Sequence, residues 1–310
     1  MPRIPPKTLK TVFFLYPTSE DAHKDCNRAG TGFVAAIRAV LPQRIFTYFV
    51  TNWHVALCGA PVVRIDRLDG TPDIFDFDPT QWHFSPKYDI AVMPITLENE
   101  QKFAVLQEGV FLTKERKAEE SIGPGDDVFM LGLFVDEQEN SIRTPAVRFG
   151  HISVDPVPLL HPQMNVRFDS YCIDMHSRSG YSGSPVFVYR TPGYDLEEEV
   201  SYEGRRKFLL SGRDHLSLLG IHWGQFPEMW EVTSKWKLKN QKDSEKREPL
   251  LTEGTFIKGL SGMTCVLPAW TILEVLNLPK LQEEREEEND RLKQTDEYRQ
   301  YLNAPDPEGS

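Results

Sequence analysis

Three short segments carry residue types that can do chemistry together. Gly180-Tyr181-Ser182-Gly183-Ser184-Pro185 sets a serine between glycines, ahead of the apolar run Val186-Phe187-Val188. A serine that attacks a carbonyl must hold its hydroxyl clear of the backbone. Two neighbouring N–H groups must also aim at one point to hold the oxyanion. Glycine permits such a turn because it adopts positive φ and has no Cβ in the way. Val50-Thr51-Asn52-Trp53-His54-Val55-Ala56 is a strand that ends in a histidine, and Tyr88-Asp89-Ile90-Ala91-Val92-Met93 is an aspartate leading into an apolar strand. A serine hydroxyl is a poor nucleophile until a base takes its proton. Imidazole can accept that proton near neutrality and return it to a leaving amine. A carboxylate on the other ring nitrogen then fixes the tautomer. Each segment alone also reads as a turn, a core histidine or a strand cap. The order His54, Asp89, Ser182 along the chain favours the concerted reading.

The elements that must position these residues read as short strands. Thr47–Val50, Pro61–Ile65, Ile90–Met93 and Val128–Leu131 are rich in β-branched and aromatic residues without helical periodicity. Such spacing predicts an all-β protein. Residues 114–124 read as a linker, and Ala269 to Leu278, bounded by Pro268 and Pro279, as a helix. Residues 191–217 and 226–258 read as long connections, of a length that is often functional, or as plain surface loops.

Further motifs extend the pattern from about residue 10 to about residue 278. Thr11–Leu15 precedes Gly30-Thr31-Gly32-Phe33-Val34. Gly125-Asp126-Asp127-Val128 leads to Leu131-Gly132. Val147 to Ser153, Leu219-Gly220-Ile221-His222 and Gly262 to Pro268 follow in order. With Thr51-Asn52-Trp53-His54-Val55 and Asp89-Ile90-Ala91-Val92, these segments resemble trypsin-like serine proteases of the chymotrypsin fold. The nearest resemblance is to the HtrA-type branch, here without a PDZ domain.

That resemblance implies two six-stranded antiparallel β-barrels, residues 10–113 and 125–280, with a C-terminal helix and an acidic helical tail over 281–310. It implies that Ser182 is the nucleophile, His54 the general base and Asp89 its orienting carboxylate. The N–H groups of Gly180 and Ser182 would form the oxyanion hole. His176, Ser177, Gly220, Ile221, His222, Met263 and Thr264 would line the substrate site. No carboxylate stands where trypsin recognises Arg or Lys, so small or medium apolar side chains are expected before the cut. Tyr181 stands where secreted trypsins carry an aspartate that pairs with a new N-terminal amine, so activation by N-terminal cleavage is not expected. The remaining histidines, His23, His83, His151, His161 and His215, carry no motif and read as surface or core residues.

Composition bounds the setting. Of 310 residues, 40% are hydrophobic and 26% charged, the balance of a globular protein with a large core. A net charge of −11 disfavours nucleic-acid binding, which needs clustered Lys and Arg. No apolar run approaches a membrane span, and the first residues lack the apolar stretch of a secretory signal. Cys26, Cys58, Cys172 and Cys265 show neither a C-x-x-C nor zinc spacing, so free thiols in a reducing cytoplasm are expected, with no metal and no cofactor. Residues 281–310 hold ten acidic and four basic side chains, and Leu292, Tyr298, Tyr301 and Leu302 form a thin apolar stripe. That tail reads as a solvated helix or as a surface for a regulatory partner. Two functions follow as expectations: a regulated intracellular endopeptidase acting on proteins or peptides, or a trypsin-like scaffold that serves as a binding module.

Overall fold

The computed structural model describes residues 4–98, 103–132, 145–177, 180–190, 195–200, 206–211, 215–232 and 254–302. In the first half, runs of β-branched and aromatic residues form strands because alternate side chains then reach a core. These are β1 (Val12–Tyr16), β2 (Gly30–Arg38), β3 (Ile45–Thr51), β4 (Val62–Asp66), β5 (Pro72–Asp76), β6 (His83–Phe84), β7 (Ala91–Ile95) and β8 (Leu106–Gln107). Helix α1 (Ser19–Lys24) follows β1, and the single turn α2 (Trp53–Ala56) follows β3. The strands make one eight-stranded sheet, in the order β5-β4-β1-β2-β3-β7-β6, with β8 joining β2 in parallel.

Closure of the first half into a six-stranded barrel is not seen among the described residues. There β5 and β6 end the path and do not pair with each other. Strand β6 has only two residues and spends them on β7, so it offers no second ladder. Phe13, Leu15, Val34, Phe49, Val63 and Trp82 belong to one buried apolar cluster. Each such side chain contributes about 1.5–3 kcal/mol on full burial.

The second half matches the expected barrel. After α3 (Lys114–Glu119) come β9 (Asp127–Gly132), β10 (Ala146–His161), β11 (Val166–Asp174) and β12 (Pro185–Arg190). A separate hairpin, β13 (Asp195–Val200) and β14 (Arg206–Ser211), precedes β15 (His215–Glu231) and β16 (Phe256–Pro268). Strands β10-β11-β16-β15-β12-β9 close into a barrel around Val128, Met130, Ile173, Val186, Leu219 and Val266. Beyond the barrel, β15 and β16 run on as a ribbon from Pro227↔Leu260 to Glu231↔Phe256. The insertions expected at 191–217 and 226–258 thus hold a hairpin and this ribbon, while 191–194, 201–205, 212–214 and 233–253 lie outside the described residues.

The two halves share one apolar seam. Phe33, Val50 and Ile90 from the first meet Phe129, Phe187 and Leu218 from the second. The linker helix α3 is capped by Thr113, whose Oγ1 accepts the Arg116 N–H at 3.2 Å. Helix α4 (Ala269–Leu276) presses Ile272, Val275 and Leu276 into the seam. No helix among the described residues is long and apolar enough to cross a membrane.

The acidic tail forms α5 (Pro279–Lys293) and α6 (Asp296–Leu302); residues 303–310 lie outside the described ones. It is not a free helix. Leu281 and Arg285 are buried. Arg285 donates to the Tyr48 hydroxyl at 2.9 Å, to the Leu276 carbonyl at 2.7 Å and to Asn277 Oδ1 at 2.7 Å. Asn289 Oδ1 accepts the Val40 N–H at 2.9 Å. Of the apolar stripe, Tyr301 and Leu302 are exposed, while Leu292 and Tyr298 are half-buried. A buried guanidinium with three acceptors holds a helix that has too few apolar residues to dock by them.

Candidate active site

His54 and Asp89 are brought together by strand register. Strands β3 and β7 pair antiparallel with Thr51 opposite Ala91, so α2 after β3 lies beside the residues just before β7. Asn52 ties the two ends: its Nδ2 donates to the Asp89 carbonyl at 2.8 Å. The carboxylate then holds His54 twice. Oδ1 accepts the His54 backbone N–H at 2.9 Å, and Oδ2 lies 2.6 Å from the ring Nδ1. The Asp89 side chain has 0% exposure and that of His54 has 18%, so the base is reachable and its partner is not. Burial alone would raise the Asp89 pKa. Hydrogen bonds from His161 and His54 outweigh it and hold the carboxyl at about 2.

Ser182 sits in a turn that the two flanking glycines make possible. Gly180 and Gly183 have φ of +92° and +86°, and Ser184 N–H donates to the Tyr181 carbonyl at 3.0 Å. The turn is fastened to both halves. Thr31 of β2 donates its N–H to the Ser182 carbonyl and its Oγ1 to the Gly180 carbonyl, both at 2.9 Å. Gly183 N–H donates to the His222 carbonyl of β15 at 2.9 Å. Thr51, at the end of the strand that carries His54, donates to the Thr31 carbonyl at 2.8 Å. A Cβ on Gly183 would collide with that same carbonyl.

The serine turn therefore packs against Thr31 and against Thr51, at the end of the strand that leads to His54. Among the described residues, the N–H groups of Gly180 and Ser182 have no partner within the protein, which leaves them free to bind an oxyanion. The Ser182 hydroxyl likewise takes no partner there, and such bonds commonly tighten only when substrate binds. Tyr181 points inward. Its ring packs on Gly132, and its oxygen accepts from Arg148 Nε at 3.1 Å.

The expected substrate residues divide. His176 is exposed and Met263 is half-buried, with Gly262 beside the His176 ring. Ser177 accepts Gln225 Nε2 at 2.6 Å and is nearly buried. Gly220, Ile221 and Thr264 are buried. Gly220 is clamped between Val186 and Pro268 in the barrel ladders. Ile221 and Thr264 have 0% exposure, and Thr264 spends its hydroxyl on the Met175 carbonyl at 2.7 Å. His222 is also buried, facing the Cys265 carbonyl through Nδ1 at 3.2 Å. After Trp223 the strand becomes accessible again at Gly224 and Gln225, which are half-buried.

One residue of the site has no sequence signal. His161, read as structural, lies buried with its Nε2 3.2 Å from Asp89 Oδ2. His54, Asp89 and His161 offer ligand atoms within 4.8 Å of one another, a spacing that would suit a metal ion. The His161 Nδ1, however, accepts the Met164 N–H at 3.2 Å. Nε2 of the neutral ring therefore carries the proton, and these contacts are hydrogen bonds.

No family model and no curated protein matches this sequence. The chain is similar in structure to HtrA-type proteases, as its motifs suggest. It aligns with the HtrA-type protease AlgW bound to a tripeptide at 20% identity and a TM-score of 0.44, covering 86% of this chain and 59% of that one. With the apo MamO protease domain from Magnetospirillum magneticum the values are 15% and 0.47, over 87% and 97%. With an inactive form of Rv3671c from M. tuberculosis H37Rv they are 16% and 0.42, over 87% of each chain. This chain thus spans less than two thirds of AlgW. Likeness at this level bears no weight for the site, whose chemistry rests on its own residues.

Proposed function

We propose that the chain is a serine endopeptidase acting on protein or peptide substrates. Ser182 attacks the carbonyl carbon of a peptide bond while His54 takes its proton. The oxyanion settles between the N–H groups of Gly180 and Ser182. His54 returns the proton to the leaving amine, and a water molecule, activated by the same imidazole, then cleaves the acyl-enzyme. Asp89 keeps the ring in the tautomer that leaves Nε2 free and stabilises the cation that forms. The observation that carries this reading is the double hold of a solvent-free carboxylate on a half-open imidazole. A structural histidine would not need a charged partner fixed on both its backbone and its ring.

The reading includes a reducing, intracellular setting, supported by four cysteines without a disulfide, one of them exposed. The test is a fluorophosphonate probe followed by mapping of the labelled residue. Ser182 should be labelled, and Ser182→Ala should abolish labelling and peptidase activity with the fold intact. Asp89→Asn should lower the labelling rate at least about a thousandfold. Labelling of Ser184 instead, or of no serine, would sink the assignment and favour the binding-module alternative.

A further inference from the structure

We propose that His161, reaching across from the second barrel, is a positioning residue that donates its Nε2–H to Oδ2 of Asp89 and so orients the carboxylate for His54. This rests on the endopeptidase reading above. The direction of the hydrogen bond follows from the chain itself. His161 ends β10, and its own turn locks it. Its carbonyl accepts the Asn165 N–H at 2.9 Å and its Nδ1 accepts the Met164 N–H at 3.2 Å. Asn165 takes φ of +53° to close that turn, a conformation that asparagine tolerates well. With Nδ1 serving as acceptor, the ring proton lies on Nε2, which is 3.2 Å from Asp89 Oδ2.

Packing fixes the ring in the remaining direction. Its centroid lies 5.0 Å from that of Trp223, 5.7 Å from Phe168 and 5.8 Å from His54. Water is shut out, since His161 is 2% exposed and Asp89 is 0% exposed, so no solvent competes for the bond. The carboxylate therefore has three donors. Two come from His54, in α2 of the first half, and the third comes from the other half of the molecule. Without the third, rotation of the Asp89 side chain is restrained only by the residue it must orient. With it, docking of the two halves sets the plane of the carboxylate.

The electrostatic sign is definite. A donor on Oδ2 spreads the negative charge and weakens its pull on the His54 proton. Removing that donor strengthens the pull, so His54 keeps its proton to higher pH. The other titratable groups facing this pair are His222, buried beside His54, and the Cys58 thiol near Asp89. His222→Gln and Cys58→Ser therefore serve as controls that should leave this effect of His161 in place.

The experiment measures the rate of fluorophosphonate labelling of Ser182 in the full chain across pH, for wild type, His161→Phe and His161→Gln. Phenylalanine keeps the ring packing and removes the donor. The glutamine amide restores a donor near the Nε2 position. Expected is a ten- to hundredfold slower maximum rate for His161→Phe, an estimate set by roughly one hydrogen bond to a charged group. Its acid limb should also move upward by about half a pH unit or more. His161→Gln should recover most of the rate and return the limb toward wild type. Wild-type rate and limb in His161→Phe would overturn the proposal. Equal losses in both variants with an unmoved limb would also overturn it, by showing a packing role alone.

Should His161→Phe fail to fold, 15N-histidine NMR of the unmutated chain decides the bond. Expected is a protonated, slowly exchanging Nε2 on His161 that Asp89→Asn perturbs; a freely exchanging or unprotonated Nε2 would overturn the proposal. Failure of wild type to label at any pH would instead sink the endopeptidase reading, with the NMR result still separating the two.

Discussion

The Arg148 guanidinium lies over the ring of Tyr181, 5.2 Å from its centroid, and its Nε donates to the phenol oxygen at 3.1 Å. Tyr181 is the residue between the two N–H groups assigned to the oxyanion hole, and it is 1% exposed. In this chain the serine turn is thus anchored by the Tyr181 ring and the half-buried Arg148, an arrangement that fits the expectation of activity without N-terminal cleavage. Trimming the chain just before Thr11 should leave Ser182 labelling unchanged; a large gain would restore a cleavage-dependent mechanism. Tyr181→Ala should cost about 3–5 kcal/mol by leaving a cavity and should abolish labelling. Arg148→Met should retain the fold and slow labelling several-fold.

Gly183→Ala should disable the site more than it harms the fold. The position has φ of +86°, and an added Cβ would meet the Thr31 carbonyl. The left-handed backbone alone costs about 1–2 kcal/mol for a residue with a side chain, and the collision pushes the turn away from β2. Labelling should fall at least about a hundredfold, while thermal unfolding shows a cooperative transition at a lower midpoint. Wild-type labelling would show that the turn does not depend on its contact with Thr31.

Stability should fall on mild acidification. Burial holds the His222 pKa down at about 4 from its ordinary 6.5, and the bond to the Cys265 carbonyl only partly opposes it. Between these values the unfolded chain binds a proton that the folded chain refuses, so stability rises with pH. This contribution is complete above about 6.5 and is lost as pH falls toward 4. Asp89, lowered from 3.8 to about 2, adds a second loss over that lower window. Burial lowers His83 and His215 in the same sense as His222. The unfolding midpoint should therefore drop steadily with acidification, and His222→Gln should flatten part of the slope. A pH-independent midpoint over this range would contradict the buried, neutral state of His222.

Thiol reactivity should separate the cysteines. A titration of the denatured chain without reductant should count four thiols. In the folded protein Cys58 should react first, being exposed, while Cys172 and Cys265 should react only on unfolding. Burial raises both of these, Cys265 to about 12, although the two stand directly opposite on β11 and β16. Two or fewer thiols would contradict a reducing setting.

The sequence by itself determined which residues can do chemistry and in what order they come. His54, Asp89 and Ser182 were legible because a nucleophile, a base and an orienting acid each demand a residue type, and glycines mark the turn that a free hydroxyl needs. The β content was legible from strand composition, and the second barrel from the resemblance alone. What the tertiary structure decided is where long-range pairing places a residue that has no local signature. Thr51 opposite Ala91 sets the approach of His54 to Asp89, and a shift of register would turn every side chain to the other face. His161 lies 72 positions from Asp89 in the chain and meets it only because the two halves pack along one seam. Strand β6, with two residues, is too short to read as an element from the sequence. The acidic tail docks through Arg285, since a single buried guanidinium with three acceptors leaves no periodic trace. Local propensity speaks for short segments, but contacts between distant segments depend on register and packing, and these are settled only when the whole chain folds.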